Sequence, residues 1–307
     1  MKGPRNRARG AALVLAMLIA AIAATVAISL AAGQQQWQAG VALRSEQVQA
    51  QALAQAGVQW ARQIMFDDDA RSARIDHLGE AWALTLPATP IENGSIEGRI
   101  VDAQGLLNVN ALGYASAQGS LERTRFERLF ARLGLPRASL DVIADWVDAD
   151  GDARASGAED AWYRQQASPA LAANAPIVRL AELSALRGFN ADIATTLAPY
   201  LAALPAETKL NLNTAPAAVL AAAIPGLDGD ALSSFVASRR ERPFVNIADF
   251  RARLPPGASI DNEGAFAVAS DYFLVTVVAR QGPTRSQARA LLKRGGGWPQ
   301  VVWQTIE

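Results

Sequence analysis

Cysteine is absent from the sequence and histidine occurs once, at His77. Without thiols there can be no disulfide, no thiolate metal site, no cysteine nucleophile and no lipid-bearing cysteine. A Ser-His-Asp triad or a histidine zinc site would have to be built on His77 alone, and no GxSxG, HExxH, P-loop or GxGxxG pattern occurs. Enzymatic chemistry is therefore the poorer expectation, and His77 reads as a solvated or structural side chain. Net charge is missing too. The 29 Lys and Arg balance 29 Asp and Glu, which removes the long-range attraction to phosphate or anionic lipid that a basic protein would have. With 50% hydrophobic and 19% charged residues, the chain is globular and long enough for roughly two domains.

What the chain does have is a basic flank, Lys2, Arg5, Arg7 and Arg9, followed by a charge-free run from Ala11 to Ala32. The run is longer than a secretory signal needs and long enough to span a bilayer. Three readings follow: a secretory signal cut near "SLAAG" (Ser29 to Gly33), a plain anchor, or a short leader cut after Gly10 on the cytoplasmic side. In the last two the basic flank stays in the cytoplasm and the rest crosses the membrane. A leader ending in Gly, with the mature chain beginning at the apolar helix, resembles the type IV pilin and pseudopilin class.

Residues 34–65 contain no proline, and Trp37, Val41, Val48, Ala52, Ala56, Trp60 and Ile64 recur at steps of four or seven. This reads as an amphipathic stripe, predicting one helix of about 55 residues and roughly 80 Å from the span onward, the alternative being a membrane helix followed by a separate stalk. Gly33, Gly40 and Gly57 are weak points in it. Asn93-Gly94 predicts a two-residue hairpin before a short strand ending near Asp102. Far downstream, "DYFLVTVVAR", "TRSQARALLKR" and "PQVVWQTI" read as a three-strand meander. Between these β regions the pattern is helical and carries a degenerate repeat, opened by "LNVNAL" from Leu107 and "LNLNTA" from Leu210. Each unit runs helix, loop ("LGLPRASL", "IPGLDGDAL"), helix, and a Pro-led tail ("PIVRLAEL", "PFVNIADF"). Asn213-Thr214 before Ala215-Pro216 predicts a helix cap followed by an early-turn proline. Two helical modules inserted between strands of one sheet is the simplest architecture.

The segments "HLGEAWAL", "GSIEGRIVDAQGLLNVNAL", "DWVDADGDARASGAEDAWY", "LAELSALRGF" and "KLNLNTAPAAVLAAAIPGL" resemble, in order and over nearly the whole chain, the type II secretion minor pseudopilin K family. The resemblance implies an α+β fold: a long N-terminal transmembrane and amphipathic helix, a pseudopilin α/β domain with an antiparallel sheet, and a large α-helical insertion with two helix-hairpin-helix or SAM-like modules. The corresponding division is a leader over 1–10, a transmembrane segment over 11–32, stalk and first strands over 33–110, insertion over 111–265 and closing strands over 266–307. The implied role is at the tip of a periplasmic pseudopilus that exports folded proteins, anchored by a single pass in the inner membrane. The implied partners are the minor pseudopilins I and J and the major pseudopilin. Prepilin peptidase would cut after Gly10 and leave Ala11 as the N-methylated first residue. Most pseudopilins carry glutamate at the fifth mature position, where this chain has Leu15. A carboxylate in the bilayer is costly unless paired with a neighbour's amino terminus, and a subunit that enters first has no such neighbour. Taken alone, Leu15 is also just one apolar residue among many.

"DADGDARASGAED" sets Asp148, Asp150 and Asp152 at alternate positions and Glu159 at the twelfth. That is close to the oxygen spacing of a calcium loop, with Arg154 at the seventh position and Ser156 at the ninth. Gly151 is fourth, where an EF-hand requires glycine sixth, so an EF-hand is not predicted. Crowding Asp148, Asp150, Asp152, Glu159 and Asp160 together fits a hard cation, and the family resemblance implies one or two calcium ions there. The alternative is a solvated acidic loop. Magnesium, which keeps more of its waters, fits less well. The "LNLNTAPAAVLAAAIPGLDGDAL" unit also resembles a helix-hairpin-helix that grips DNA phosphates, which would make the chain a membrane-anchored competence-type protein. Asp228 and Asp230 stand where phosphate would sit and would repel it, so a packing module with no nucleic-acid role is the better reading. A periplasmic hydrolase would need two carboxylates facing one cleft.

Overall fold

The computed structural model describes residues 5–71, 74–113 and 117–307. Lys2 of the basic flank lies outside them, as do Ser72 and Ala73. Helix α1 runs unbroken from Arg5 to Arg71, 67 residues or about 100 Å. Every described side chain from 11 to 39 is exposed, so the charge-free run has no partner among the described residues.

The second half of α1 lies on a five-stranded antiparallel sheet made of β1 (Leu86–Ile91), β2 (Gly94–Asp102), β7 (Tyr272–Gln281), β8 (Thr284–Lys293) and β9 (Gln300–Ile306), in the order β1-β2-β7-β8-β9. Strand alternation puts Phe273, Val275, Val277 and Ala279 of β7, with Ala288, Ala290 and Leu292 of β8, on the face that meets Ala54, Val58, Ala61 and Met65. Small residues on the helix set how closely it approaches. A Cβ on Gly57 would stand 2.6 Å from Val277 Cγ1, so at this point glycine is a contact surface and not a weak link.

The buried row of α1 is therefore Ala50, Ala54, Val58, Ala61 and Met65. The expected stripe is not the one that packs. Trp37, Val48, Ala52, Ala56 and Trp60 are exposed. Steps of four overshoot a full turn by about 40° each, so such a row winds around the helix instead of holding one face. The first hairpin also shifts by one residue: Ile91 pairs with Gly94, which makes the turn Glu92-Asn93, with Asn93 at φ +59°. Gly94 pairs inside the strand, where a Cβ would collide with the Arg280 carbonyl.

Strand β2 pairs with β7 from Gly94↔Gln281 to Asp102↔Phe273, so everything between Asp102 and Tyr272 is an excursion from one sheet. It holds β3 (Leu107–Asn108), α2 (Ala117–Arg132), α3 (Ser139–Val147), α4 (Asp160–Tyr163), α5 (Ala191–Leu197) and β4 (Leu201–Ala202). A second unit follows with β5 (Leu210–Asn211), α6 (Ala217–Ala223), α7 (Gly229–Glu241), α8 (Ile247–Ala252) and β6 (Phe266–Ala267). Each unit closes on itself by a two-residue parallel bridge, β3 with β4 and β5 with β6. One continuous core, from Leu107 to Phe266, runs through both.

Candidate functional site

The repeat is held by asparagines. In the first unit Asn110 Nδ2 donates to the Ile177 carbonyl at 2.9 Å and Oδ1 accepts from Ile177 N–H at 2.8 Å. In the second, Asn213 does the same to Phe244, at 3.0 and 2.8 Å. Each of these asparagines also has its own N–H bonded to the asparagine two residues before it, Asn108 or Asn211. The side-chain amide thus imitates a peptide and clasps the Pro-led tail back onto the start of its unit. The expected cap at Asn213 is accordingly not formed. The residue preceding α6 is Pro216, without a side-chain cap bond, and Asn213 is spent on Phe244.

The two bodies are joined at Asp102, which is buried at the end of β2. It accepts from Gln104 N–H at 2.8 Å, Asn211 Nδ2 at 2.9 Å, Thr214 Oγ1 at 2.6 Å and Ser270 Oγ at 2.6 Å. Burial pushes this carboxyl up to about 6 even against those four donors. Nearby, Arg294 lies over Phe273 and binds Asp68 at 2.8 Å and Asp76 at 2.5 Å, fastening the end of α1 to the sheet. Asp68, Asp76 and Glu80 bring carboxylate oxygens within 4.8 Å of one another. Arg294 takes the first two, while Glu80 accepts from Trp82 Nε1 and from His77 N–H, each at 2.8 Å, so every carboxylate of this cluster already has a donor within the protein.

The acidic loop is different. Asp148 and Glu159 come together there with Asp145 of α3, which the sequence reading did not include. Asp145 is fully buried and pairs with Arg154 Nη1 at 2.7 Å; Asp148 meets the same guanidinium. Gly157 sits directly against Asp145, where a Cβ would fall 1.7 Å from Oδ2. Glu159 is pushed up by burial, then by Asp145 and Asp148, and Asp148 is pushed up by burial beyond what Arg154 restores. Both Glu159 oxygens, Asp148 Oδ1 and Asn174 Oδ1 are buried without a hydrogen bond of full geometry among the described residues. The Asn174 amide stands beside Glu159 and offsets part of its charge, without reaching full hydrogen-bond geometry. Three carboxylates against one guanidinium leave two uncompensated negative charges. Hard oxygen ligands in need of a divalent positive charge are what a calcium ion requires. Asp150 and Asp152 are exposed, and Asp150 Oδ1 accepts from Asp152 N–H at 3.0 Å. Asp160 is engaged with Ala172 N–H at 3.0 Å and Arg164 at 2.8 Å.

Comparison with known proteins places this architecture. The sequence matches the family described as "Type II secretion system (T2SS), protein K" over residues 105–206 and again over 210–273. The type II secretion system protein K of Pseudomonas aeruginosa is 31% identical over 304 residues, covering 95% of this chain and 90% of that one. This chain belongs to the type II secretion system protein K family. The Klebsiella pneumoniae member is 30% identical, covering 95% of this chain and 94% of its own. The fold resembles one in the crystal structure of the GspK-GspI-GspJ complex from enterotoxigenic Escherichia coli, with TM-score 0.68, 23% identity, and coverage of 90% of this chain and 98% of that one.

In this protein K chain, the break between the two matched stretches falls between the two asparagine-clasped units. The second unit's hairpin carries Asp228 and Asp230 exposed, and its fully buried Phe244 and Phe250 belong to the core it shares with the first unit. At the other end, Gly10 and Ala11 lie within helix α1; Ala11 and Leu15 are exposed. Asp145 was missed because "DVIADWV" reads as an apolar helix, and Asn174 because it comes from a separate loop. A charged residue in the middle of an apolar helical run was the available signal for Asp145.

Proposed function

We propose that this chain is a minor pseudopilin that initiates or caps the periplasmic pseudopilus of a type II secretion system, and that it performs no chemistry of its own. The carrying observation is α1. Its charge-free first half has no partner among the described residues, and its second half is fixed to a sheet that carries a bulky helical head. Such a helix, anchored by a single pass in the inner membrane with the head in the periplasm, offers neighbouring subunits a packing surface at one end. The head leaves little room for subunits above it. The E. coli complex, in which GspK stands with GspI and GspJ, supports minor pseudopilins I and J as partners, with the major pseudopilin below them.

Assembly then requires prepilin peptidase to cut after Gly10 and expose Ala11, with Leu15 avoiding an unpaired carboxylate in the bilayer. The test is Gly10→Val: loss of processing together with loss of secretion is expected, whereas normal processing and secretion would refute the reading.

Calcium belongs to the same proposal. Asp148 and Glu159 would hold the ion, joined by Asp145 and Asn174, and it would cancel the charge left over beside Arg154. Its role is to hold the loop between α3 and α4 against the first unit. Chelator-sensitive stability of the purified protein, restored by calcium, tests it.

A further inference from the structure

The face of the sheet that turns away from α1 is covered at one end only, where Leu274, Leu291 and Trp303 pack against Ala202 and Leu204 of the insertion. At the other end the register sets Arg99, Thr276 and Arg289 in one row across β2, β7 and β8, and Ser95, Arg280 and Arg285 in another. All four arginines are exposed. Arg280 and Arg285 stand directly opposite each other, which costs stability because like charges meet across the ladder. Glu97 offsets Arg280 at 3.0 Å, and Arg285 donates to Gln287 at 2.7 Å. Arg99 and Arg289 have no ion-pair partner among the described residues. Against the four guanidinium groups this end of the face sets two acids, Glu97 and, bonded through its backbone to Gln287, Glu307. We propose that this arginine face binds an acidic segment of another protein lying outside the filament, an inference that rests on the pseudopilin reading above only for the direction in which the face points.

Geometry and charge select that occupant. Arg99 and Arg289 are two strand spacings apart, about 10 Å, and lie four residues, about 13 Å, from the row of Arg280 and Arg285. A single small anion cannot reach across that rectangle, whereas carboxylates spread along a protein segment can each meet one guanidinium fork. Lipid headgroups are out of reach. The turn nearest these arginines has Gly282 against Glu46, which stands 14 residues beyond Ala32 on α1, about 21 Å from the end of the charge-free run. Neighbouring pilus subunits pack on α1, so the opposite face of the sheet is turned outward. A repulsive arginine pair kept on that face has no folding benefit, and an acidic partner would relieve it.

The probe is a short fluorescent peptide of alternating glutamate and serine, titrated into the detergent-solubilised full chain. Binding is expected, weakening at least tenfold as sodium chloride rises from about 50 to about 300 mM, and absent for the same peptide with glutamine in place of glutamate. The double variant Arg99→Gln/Arg289→Gln should bind at least tenfold more weakly with an unchanged melting temperature, while Arg240→Gln on α7 binds as wild type does. In cells the double variant should still recover the minor pseudopilins I and J but lose secretion. No binding by wild type, equal binding of the glutamine peptide, equal binding by the double variant or normal secretion with it overturns the assignment. So does tighter binding to phosphatidylglycerol vesicles than to the peptide, or self-association that the double variant abolishes. Loss of I and J from the double variant alone makes the face a contact within the filament and overturns the outside partner, whereas a wild-type chain that recovers neither overturns the pseudopilin reading and leaves the peptide titration to decide the arginine face.

Discussion

Glu159→Gln should change stability in opposite directions with and without calcium. In the metal-free protein Glu159 is a buried carboxylate with no hydrogen bond of full geometry to either oxygen, next to Asp145 and Asp148 and only partly offset by the Asn174 amide. Its removal takes the pocket from two uncompensated charges to one. The amide keeps the shape and adds an N–H that can meet the unpartnered Asp148 Oδ1. A buried unsatisfied ionic group costs about 1–3 kcal/mol, so the variant should be more stable than wild type by that order in chelator. With calcium the wild-type pocket becomes neutral and gains about 2.7 kcal/mol when the ion is at a hundred times its dissociation constant. That corresponds to a melting shift of roughly 5–10 °C. The variant has lost a charged ligand and should gain little. Calorimetry of the detergent-solubilised protein, in chelator and in millimolar calcium, should give melting curves that cross over between the two proteins. A Glu159→Gln protein less stable than wild type in chelator, or one showing the wild-type calcium shift, would refute the reasoning.

The remaining predictions concern the scaffold. Asn213→Ala strands the buried N–H and carbonyl of Phe244 and should cost about 2–5 kcal/mol in urea unfolding, with Asn110→Ala giving a similar loss through Ile177. Gly57→Val drives side-chain atoms into Val277 and should destabilise by about 1–3 kcal/mol, loosening α1 from the sheet before the insertion unfolds; hydrogen exchange of α1 checks it. Asp102 is held at about 6 in the folded protein against about 3.9 in the unfolded chain, so the folded state keeps its proton between those values and stability falls as pH rises through that window. Acidification from pH 7 to 5 should therefore recover about 1.4 kcal/mol through this group alone. Asp68, Asp76, Asp148 and Glu159, also raised, act in the same direction. Asp102→Asn should flatten the Asp102 part of the slope and lower stability overall, because one amide cannot accept from all four donors.

The transmembrane run, the hairpin and meander, the two repeated units and their insertion into one sheet were all legible in the sequence. Each is written in local chemistry: an uninterrupted apolar stretch, alternation with period two, and recurring Leu-Asn pairs. The α1 stripe was misread because apolar residues at steps of four trace a helix surface without saying which sector meets the sheet. That sector is instead taken by Ala50, Ala54, Val58, Ala61 and Met65, with glycine at 57, where Val277 leaves no room for a Cβ.

The candidate cation pocket divides in the same way. Local spacing carried Asp148 and Glu159, while Asp145 and Asn174 come from an apolar helix and a separate loop that only packing of the first unit brings together. By itself the sequence determined that a charge-free helix precedes two helical modules set within a β-sheet, because hydrophobic period and turn chemistry are properties of neighbouring residues. Which face of that helix is covered, which asparagines clasp each unit and which carboxylates are left without a counter-charge were decided only by tertiary structure, because exclusion of water depends on residues distant in the chain.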